Sequence, residues 1–243
     1  MANQYLSVEL LAPEVGDVAV VGGPEGRHAV TVSRLAIGES VRVGNGSGIV
    51  ASGPVTAVAP GEFQFLVDAI DEIPRPAPAI WLVQALAKGD RDELAIQAAT
   101  ELGVDGVIPW SASRSISRWE GAKIAKGQDR WIAVVREATK QSARGWLPEV
   151  APLVSTKQLA ELAGTTRMLV LDPLAIDSLA EIEPNELDIV LVVGPEGGIS
   201  PAEFELLYAA GAVGARLGNG ILRTSTAGPA AIAVLSAKLG RWS

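Results

Sequence analysis

The stretch Ile189-Val190-Leu191-Val192-Val193 contains no polar residue, and it stops at Gly194-Pro195-Glu196-Gly197-Gly198. A helix start follows at Ser200-Pro201-Ala202-Glu203. A run apolar on both faces belongs to a strand covered on both sides, as in a parallel sheet layered by helices. A second unit of similar design follows, with Ala215-Arg216-Leu217 leading into Gly218-Asn219-Gly220-Ile221-Leu222-Arg223-Thr224. Glycine turns at the carboxyl ends of parallel strands build a ligand crevice, so function is sought there.

The remainder of the chain divides at Pro74-Arg75-Pro76-Ala77-Pro78, where alternating prolines predict an extended spacer over 74–79. Before it, residues 1–73 show short alternating runs (Val18–Val21, Ser40–Val43, Phe63–Val67) broken by glycine and proline pairs. They predict a small β-barrel, with a short helix over Gly26–Arg34. Beyond it, residues 80–243 alternate between strand and helix, which implies a mostly parallel sheet with helices on its faces. The expected strands are Ile80–Leu86, Val104–Pro109, Met168–Leu171, Ile189–Val193 and Ala215–Leu217. The expected helices are Asp90–Leu102, Gln128–Ser142, Pro201–Ala210 and Thr226–Leu239. Asp90 is placed as the N-cap of the first helix, Gly103 as its stop, and Leu94, Ala98 and Leu102 as its core stripe.

Composition excludes several kinds of chemistry. With no cysteine there is no disulfide, thiolate metal site or cysteine nucleophile, and with His28 the only histidine there is no multi-histidine metal centre. No metal is expected. No apolar run reaches membrane-spanning length and residues 1–5 lack a signal-like pattern, so a soluble cytoplasmic protein with no membrane partner is expected. The net charge of −8 opposes a nucleic-acid partner, yet residues 114–144 hold eight basic side chains against three acidic ones. That stretch is either a solvated helical face or a surface for RNA.

The tetrapeptide Gly-Pro-Glu-Gly occurs at both Gly23–Gly26 and Gly194–Gly197. By itself it marks a turn. Only the second copy follows a buried strand and precedes a helix, which aims its backbone at a ligand. Leu171-Asp172-Pro173-Leu174 is a third turn of this kind. None of the three carries a phosphate-binding fingerprint. Gly44-Asn45-Gly46-Ser47-Gly48 lies between β runs and reads as a hairpin turn.

The ordered set Lys88-Gly89-Asp90, Glu101-Leu102-Gly103-Val104, Glu137-Ala138 with Gln141–Arg144, Gly194–Gly198, and Leu217-Gly218 with Ile221–Thr224 resembles the RsmE family. This family comprises bacterial methyltransferases of small-subunit ribosomal RNA within the SPOUT superfamily. His28, Arg34 and Gly38 extend the resemblance into the first domain. It implies a C-terminal α/β domain tied in a trefoil knot, an N-terminal PUA-like RNA-binding barrel, and a homodimer. It implies S-adenosyl-L-methionine bound by Leu171, Asp172 and Pro173, by Gly194, Pro195, Glu196, Gly197 and Gly198, and by Leu217, Gly218, Ile221, Leu222 and Thr224. The reaction would methylate N3 of a uridine near the decoding site of the 30S subunit. Other outcomes are a sister SPOUT enzyme acting on another RNA or a ribose 2′-hydroxyl, and a non-catalytic assembly factor.

Uridine N3 carries a proton and is not nucleophilic until it leaves. Arg223 is placed beside the base to stabilise the developing anion, the alternatives being a phosphate clamp or a structural ion pair. Glu196 is the candidate base, the alternative being a carboxylate that shapes its own loop. The family usually reads Arg-Thr-Glu-Thr where this chain has Arg223-Thr224-Ser225-Thr226, so a base at position 225 is lost. A basic residue is also replaced by Gly220, and Pro229 departs from the pattern but is tolerable in the first turn of a helix begun by Thr226. Arg27, His28, Arg34, Lys88 and Arg144 are the expected RNA contacts, Arg144 alternatively a dimer contact. Of the six tryptophans, the four between Trp110 and Trp146 either pack internally or stack on RNA bases.

Overall fold

The computed structural model describes residues 3–183 and 185–242. Two compact units emerge: one of residues up to Arg75 together with Thr139–Leu147, the other of Pro76–Ala138 and Pro148 onward. The excursion of 139–147 into the first unit lies outside the span 1–73 expected for it.

The first unit contains β1 (Asn3–Leu6), β2 (Val18–Val21), α1 (Gly23–Arg27), a π-helical turn (His28–Val32), β3 (Ser40–Gly44), β4 (Ile49–Ala59), β5 (Glu62–Leu66) and β6 (Ala69–Glu72). Its sheet runs β1-β3-β4-β5-β2, with β6 also on β4. Only the β1–β3 pairing is parallel. Inward residues Tyr5, Val41, Val43, Val55, Phe63 and Phe65 form the core. Asn45 Oδ1 accepts the amides of Ser47 (2.7 Å) and Ile49 (3.1 Å), which makes the expected hairpin turn between β3 and β4.

The first Gly-Pro-Glu-Gly copy is not a turn but the start of α1. Gly26 is required there because a Cβ would lie 2.4 Å from the Val21 carbonyl oxygen and 2.5 Å from that of Gly61. Glu25, buried behind it, pairs with Lys140 at 3.3 Å and accepts the Leu6 amide. The expected helix over 26–34 is thus replaced by α1 and the π-turn, which ends before Arg34 takes a φ of +53°. Trp146 donates through Nε1 to the Ile73 carbonyl at 2.8 Å and lies under the Arg75 guanidinium.

The second unit contains β7 (Ile80–Ala85), α2 (Arg91–Glu101), β8 (Gly106–Ser111), α3 (Ala122–Gln141, whose last residues belong to the first unit), β9 (Glu149–Val150), β10 (Val154–Ser155), α4 (Thr156–Ala163), β11 (Arg167–Leu171), β12 (Ile189–Val193), α5 (Pro201–Ala209), β13 (Val213–Ala215) and α6 (Thr224–Lys238). Its sheet runs β10-β8-β7-β12-β11-β13, with β9 also on β8, and all of its pairings are parallel. Every residue of β12 is buried, as its sequence requires. Trp110 and Trp131 are core residues, and Trp119 meets Trp131 edge-on.

Several local expectations are corrected. Asp90 holds the expected N-cap position of α2, and its carbonyl accepts the Leu94 amide at 2.9 Å, but its side chain does not cap the helix. It adopts a φ of +58°, while buried Asp92 accepts the amides of Ala87 and Glu93. The buried face of α2 is Ala95, Ile96, Ala99 and Thr100, and Leu94 is 56% exposed, so the expected stripe is rotated away from the core. The misreading has a physical cause. Ile96 and the small residues Ala95, Ala99 and Thr100 face inward, on the helix that α6 packs against. Strand β13 ends at Ala215, which releases Arg216 and Leu217 into the following loop. Helix α6 starts at Thr224, so Pro229 sits beyond the first turn and leaves the Ser225 carbonyl without its helical partner.

Candidate functional site

Three loops meet at the carboxyl ends of adjacent strands β12, β11 and β13. The first leaves β12 at Gly194. A Cβ there would lie 2.7 Å from Ile199 Cγ1, so the chain doubles back tightly. Gly198, at a φ of +72°, donates its amide to the Pro195 carbonyl at 2.9 Å and closes the turn. Helix α5 then starts with a reciprocal cap in which Ser200 and Glu203 bond each other's backbone amides.

Glu203 does more than cap. Its carboxylate also accepts from Ser113 N (2.8 Å), Ser113 Oγ (2.7 Å) and Thr156 Oγ1 (3.0 Å). Burial opposes its charge, but the hydrogen bonds from Ser113 and Ser200 outweigh it and hold the carboxyl at about 2. The network fastens the start of α5, and hence the end of the glycine turn, to the loop after β8 and to α4.

In the second loop, Asp172 Oδ1 accepts the Leu174 amide at 2.9 Å, while Tyr208 donates to Oδ2 at 3.3 Å. Burial first, then the neighbouring Asp172 charge, push the Tyr208 hydroxyl up to about 12, so it stays a donor. The third loop crosses from β13 to α6. Thr224 Oγ1 donates to the Gly194 carbonyl at 2.8 Å, which ties this loop to the first.

Between the loops lies a cavity of about 740 Å³, within the range of small-molecule sites. Leu171, Asp172, Pro173, Gly194, Pro195, Glu196, Gly198, Leu217, Ile221, Leu222, Arg223 and Thr224, all from the three turns, line it. Gly197 and Gly218 do not line it. The Gly197 carbonyl instead accepts from Arg114 at 3.3 Å. The lining also includes Arg91, Ile199, Phe204, Gly220 and Ala227, which sequence reasoning missed. A signal existed for Ile199 and Phe204. They flank the Ser200 cap at the positions of a hydrophobic staple.

Glu196 is held by the Arg91 guanidinium at 2.9 Å and by the Lys88 amide at 3.2 Å. Burial raises its carboxyl pKa, but backbone amides and the Arg91 guanidinium prevail and keep it below the usual carboxylate range. A carboxylate so stabilised is a weak proton acceptor at neutral pH. Arg223 stands at the N-cap of α6, exposed and at the rim, with no ion-pair partner among the described residues. Lys88 is exposed in the same unit. Arg27, His28 and Arg34 are exposed on and just after α1 in the first unit, where Arg144 is half-buried.

A parallel sheet with this crevice at its strand ends is the architecture of an RNA-modifying domain: a family model described as "RNA methyltransferase domain" matches residues 74–236. The ribosomal RNA small subunit methyltransferase E of Mycobacterium bovis is 42% identical over 236 residues, covering 95% of this chain and 90% of the relative. That of Bacillus subtilis is 30% identical, covering 96% of each. The crystal structure of a ribosomal RNA small subunit methyltransferase E from Neisseria gonorrhoeae, bound to S-adenosyl methionine, superposes with a TM-score of 0.86 at 27% identity over 98% of each chain. The chain belongs to the RsmE family of RNA methyltransferases.

Proposed function

We propose that this protein transfers a methyl group from S-adenosyl-L-methionine to N3 of a uridine in small-subunit ribosomal RNA. The observation that carries the proposal is the cavity of about 740 Å³ built from three strand-end loops, with Arg223 exposed and unpaired among the described residues at its rim. The residues suit the donor. Leu171, Pro173, Ile199, Phe204, Leu217 and Leu222 offer apolar surface for the adenosine, and glycine turns bring backbone groups close. Asp172 adds a carboxylate compatible with a cationic or hydroxyl-bearing ligand. When bound, the donor supplies a methyl on a positively charged sulfur that departs as a neutral thioether.

The chain's own groups then have separable tasks. The loops hold the donor and exclude water from one side. Arg223, exposed at the mouth, stabilises negative charge on the uracil ring as its N3 proton leaves. Glu196, already engaged by Arg91 and Lys88, shapes the turn and orients Arg91; it is not the base. With Ser225 lacking a carboxylate, proton loss goes to solvent, favoured by the electrostatics at Arg223.

The finer architecture follows the same reading. We infer a trefoil knot in which the 216–223 loop and α6 close the fold; the return of α6 onto β7 and β12 supports it. The six-stranded sheet of residues 1–73 serves as a PUA-like RNA-binding domain through Arg27, His28 and Arg34, with Lys88 and Arg144 as further contacts, and the protein works as a cytoplasmic homodimer. The deciding experiment is methylation of 30S subunits that lack the modification, with the product base mapped by nucleoside mass spectrometry. Methyl on a ribose oxygen, or none at all, would refute the assignment.

A further inference from the structure

Gln84 lies near the end of β7, between Val193 of β12 and Pro109 of β8, and has no exposed surface. A primary amide removed from water must regain its hydrogen bonds or cost stability. Gln84 regains only some. Nε2 donates to Thr224 Oγ1 at 2.8 Å and to the Ala85 carbonyl at 3.1 Å, while Oε1 has no partner among the described residues. A methionine would fill this place at similar volume without that cost. Stability alone therefore does not account for an amide here.

The bonds suggest what does. A carbonyl can only accept, so the Gly194 oxygen takes the Thr224 hydroxyl proton at 2.8 Å. The hydroxyl's remaining role is acceptor, and the Gln84 amide fills it. One directed chain thus runs from buried Gln84 near the end of β7, through the first residue of α6, to the first residue of the glycine turn. Gly194 and Thr224 both face the cavity, and Gln84 stands behind them. The same elements approach closely at Gly228, where a Cβ would lie 2.9 Å from Leu82 Cδ1.

We propose that Gln84 is a positioning residue for the methyl donor: its amide sets the Thr224 hydroxyl, which fixes the Gly194 peptide and holds the turn open to the donor at one spacing from α6. The proposal rests on the donor-binding reading above, and the measurements separate the two. Calorimetry of the wild-type protein with S-adenosyl-L-methionine comes first; absence of binding would remove both the reading and the relay.

Given wild-type binding, Gln84→Met is expected to weaken it by about five- to tenfold, the loss of one buried hydrogen bond. Amide exchange at Gly198 in the ligand-free protein should speed up, while the urea midpoint stays level or rises. Thr224→Val should lose binding by a similar factor, and the double variant should lose little more than either single one, because each breaks the same chain. In turnover assays the KM for the donor should rise more than kcat falls. Wild-type affinity and exchange in Gln84→Met would overturn the relay. So would a fall in affinity matched by a fall in the urea midpoint, or a variant unable to fold, since the amide would then serve folding alone.

Discussion

Arg223 and Glu196 line the same cavity with opposite charges, and their surroundings give them different work. The guanidinium of Arg223 is exposed and has no ion-pair partner among the described residues, whereas the carboxylate of Glu196 is committed to Arg91 and Lys88. Arg223→Ala is expected to lower kcat for 30S methylation by about 100-fold or more, the scale of a lost electrostatic stabiliser. Donor affinity measured by calorimetry should change by less than about threefold. Glu196→Gln should behave differently, loosening the turn and raising the KM for the donor with a smaller effect on kcat. Because the Glu196 carboxyl is held below the usual 4.5 of a free glutamate, its ion pair is intact above that value and is lost only as pH falls below it. No limb of the pH–rate profile between about 5 and 8 should therefore disappear in Glu196→Gln. Sequence placed both residues at the turns, since glycine spacing is local. It could not separate their roles, because Arg91 reaches Glu196 across 105 positions.

At the scale of elements, α5 shows how a local signal acquires a tertiary function. The Ser200–Glu203 cap is visible in sequence, but three of the bonds to Glu203 come from Ser113 and Thr156. Glu203→Ala would strand several of these donors and should destabilise the protein by about 3 kcal/mol, read from the urea midpoint. The sign of its pH dependence follows from a carboxyl near 2 in the fold against 4.5 unfolded. Its contribution is fully present above 4.5 and fades as pH falls toward 2, so the difference between wild type and Glu203→Ala should shrink in acid. The turn itself is testable through Gly194→Ala. The new methyl would meet Ile199 Cγ1 at 2.7 Å, so this cavity-lining side chain must shift. Donor binding should weaken by about tenfold. Helix α2 marks the opposite case. Its large apolar residue Leu94 suggested the wrong buried face, because the face covered in the fold carries Ala95, Ile96, Ala99 and Thr100, and which face a neighbour such as α6 covers is a tertiary choice.

Across the second unit, the end of the chain is pinned by Arg241. It donates to Asp105 Oδ2 at 2.9 Å and to the carbonyls of Gly103 and Pro78, and Asp105 also accepts the Ile80 amide at 2.7 Å. This joins the segment after α6 to the start of β7 and the approach to β8. Removing the guanidinium takes the ion-pair partner from the buried Asp105 carboxylate, so Arg241→Ala should cost about 3 kcal/mol in chemical denaturation. At the same scale, the RNA contacts proposed at Arg27, His28, Arg34, Lys88 and Arg144 predict salt-sensitive binding. Affinity for 30S subunits should fall steeply between about 50 and 200 mM salt, whereas donor binding should not.

Strand β12, the glycine turn after it, and the parallel α/β character of residues 80–243 were fixed by sequence alone, because hydrophobic period and glycine chemistry act between near neighbours. The turns that surround the cavity were legible for the same reason. What only the tertiary structure decided were the links made at long range: Arg91 with Glu196, Glu203 with Ser113 and Thr156, Gln84 with Thr224. Each joins side chains from different elements, and nothing in a linear pattern encodes which buried donors meet. The first Gly-Pro-Glu-Gly repeats the letters of the second, yet becomes helix α1, because Gly26 packs against the backbone of Val21 and Gly61 while Gly194 stands at the end of a buried parallel strand. Identical local chemistry took two forms, and the neighbours supplied by the fold chose between them.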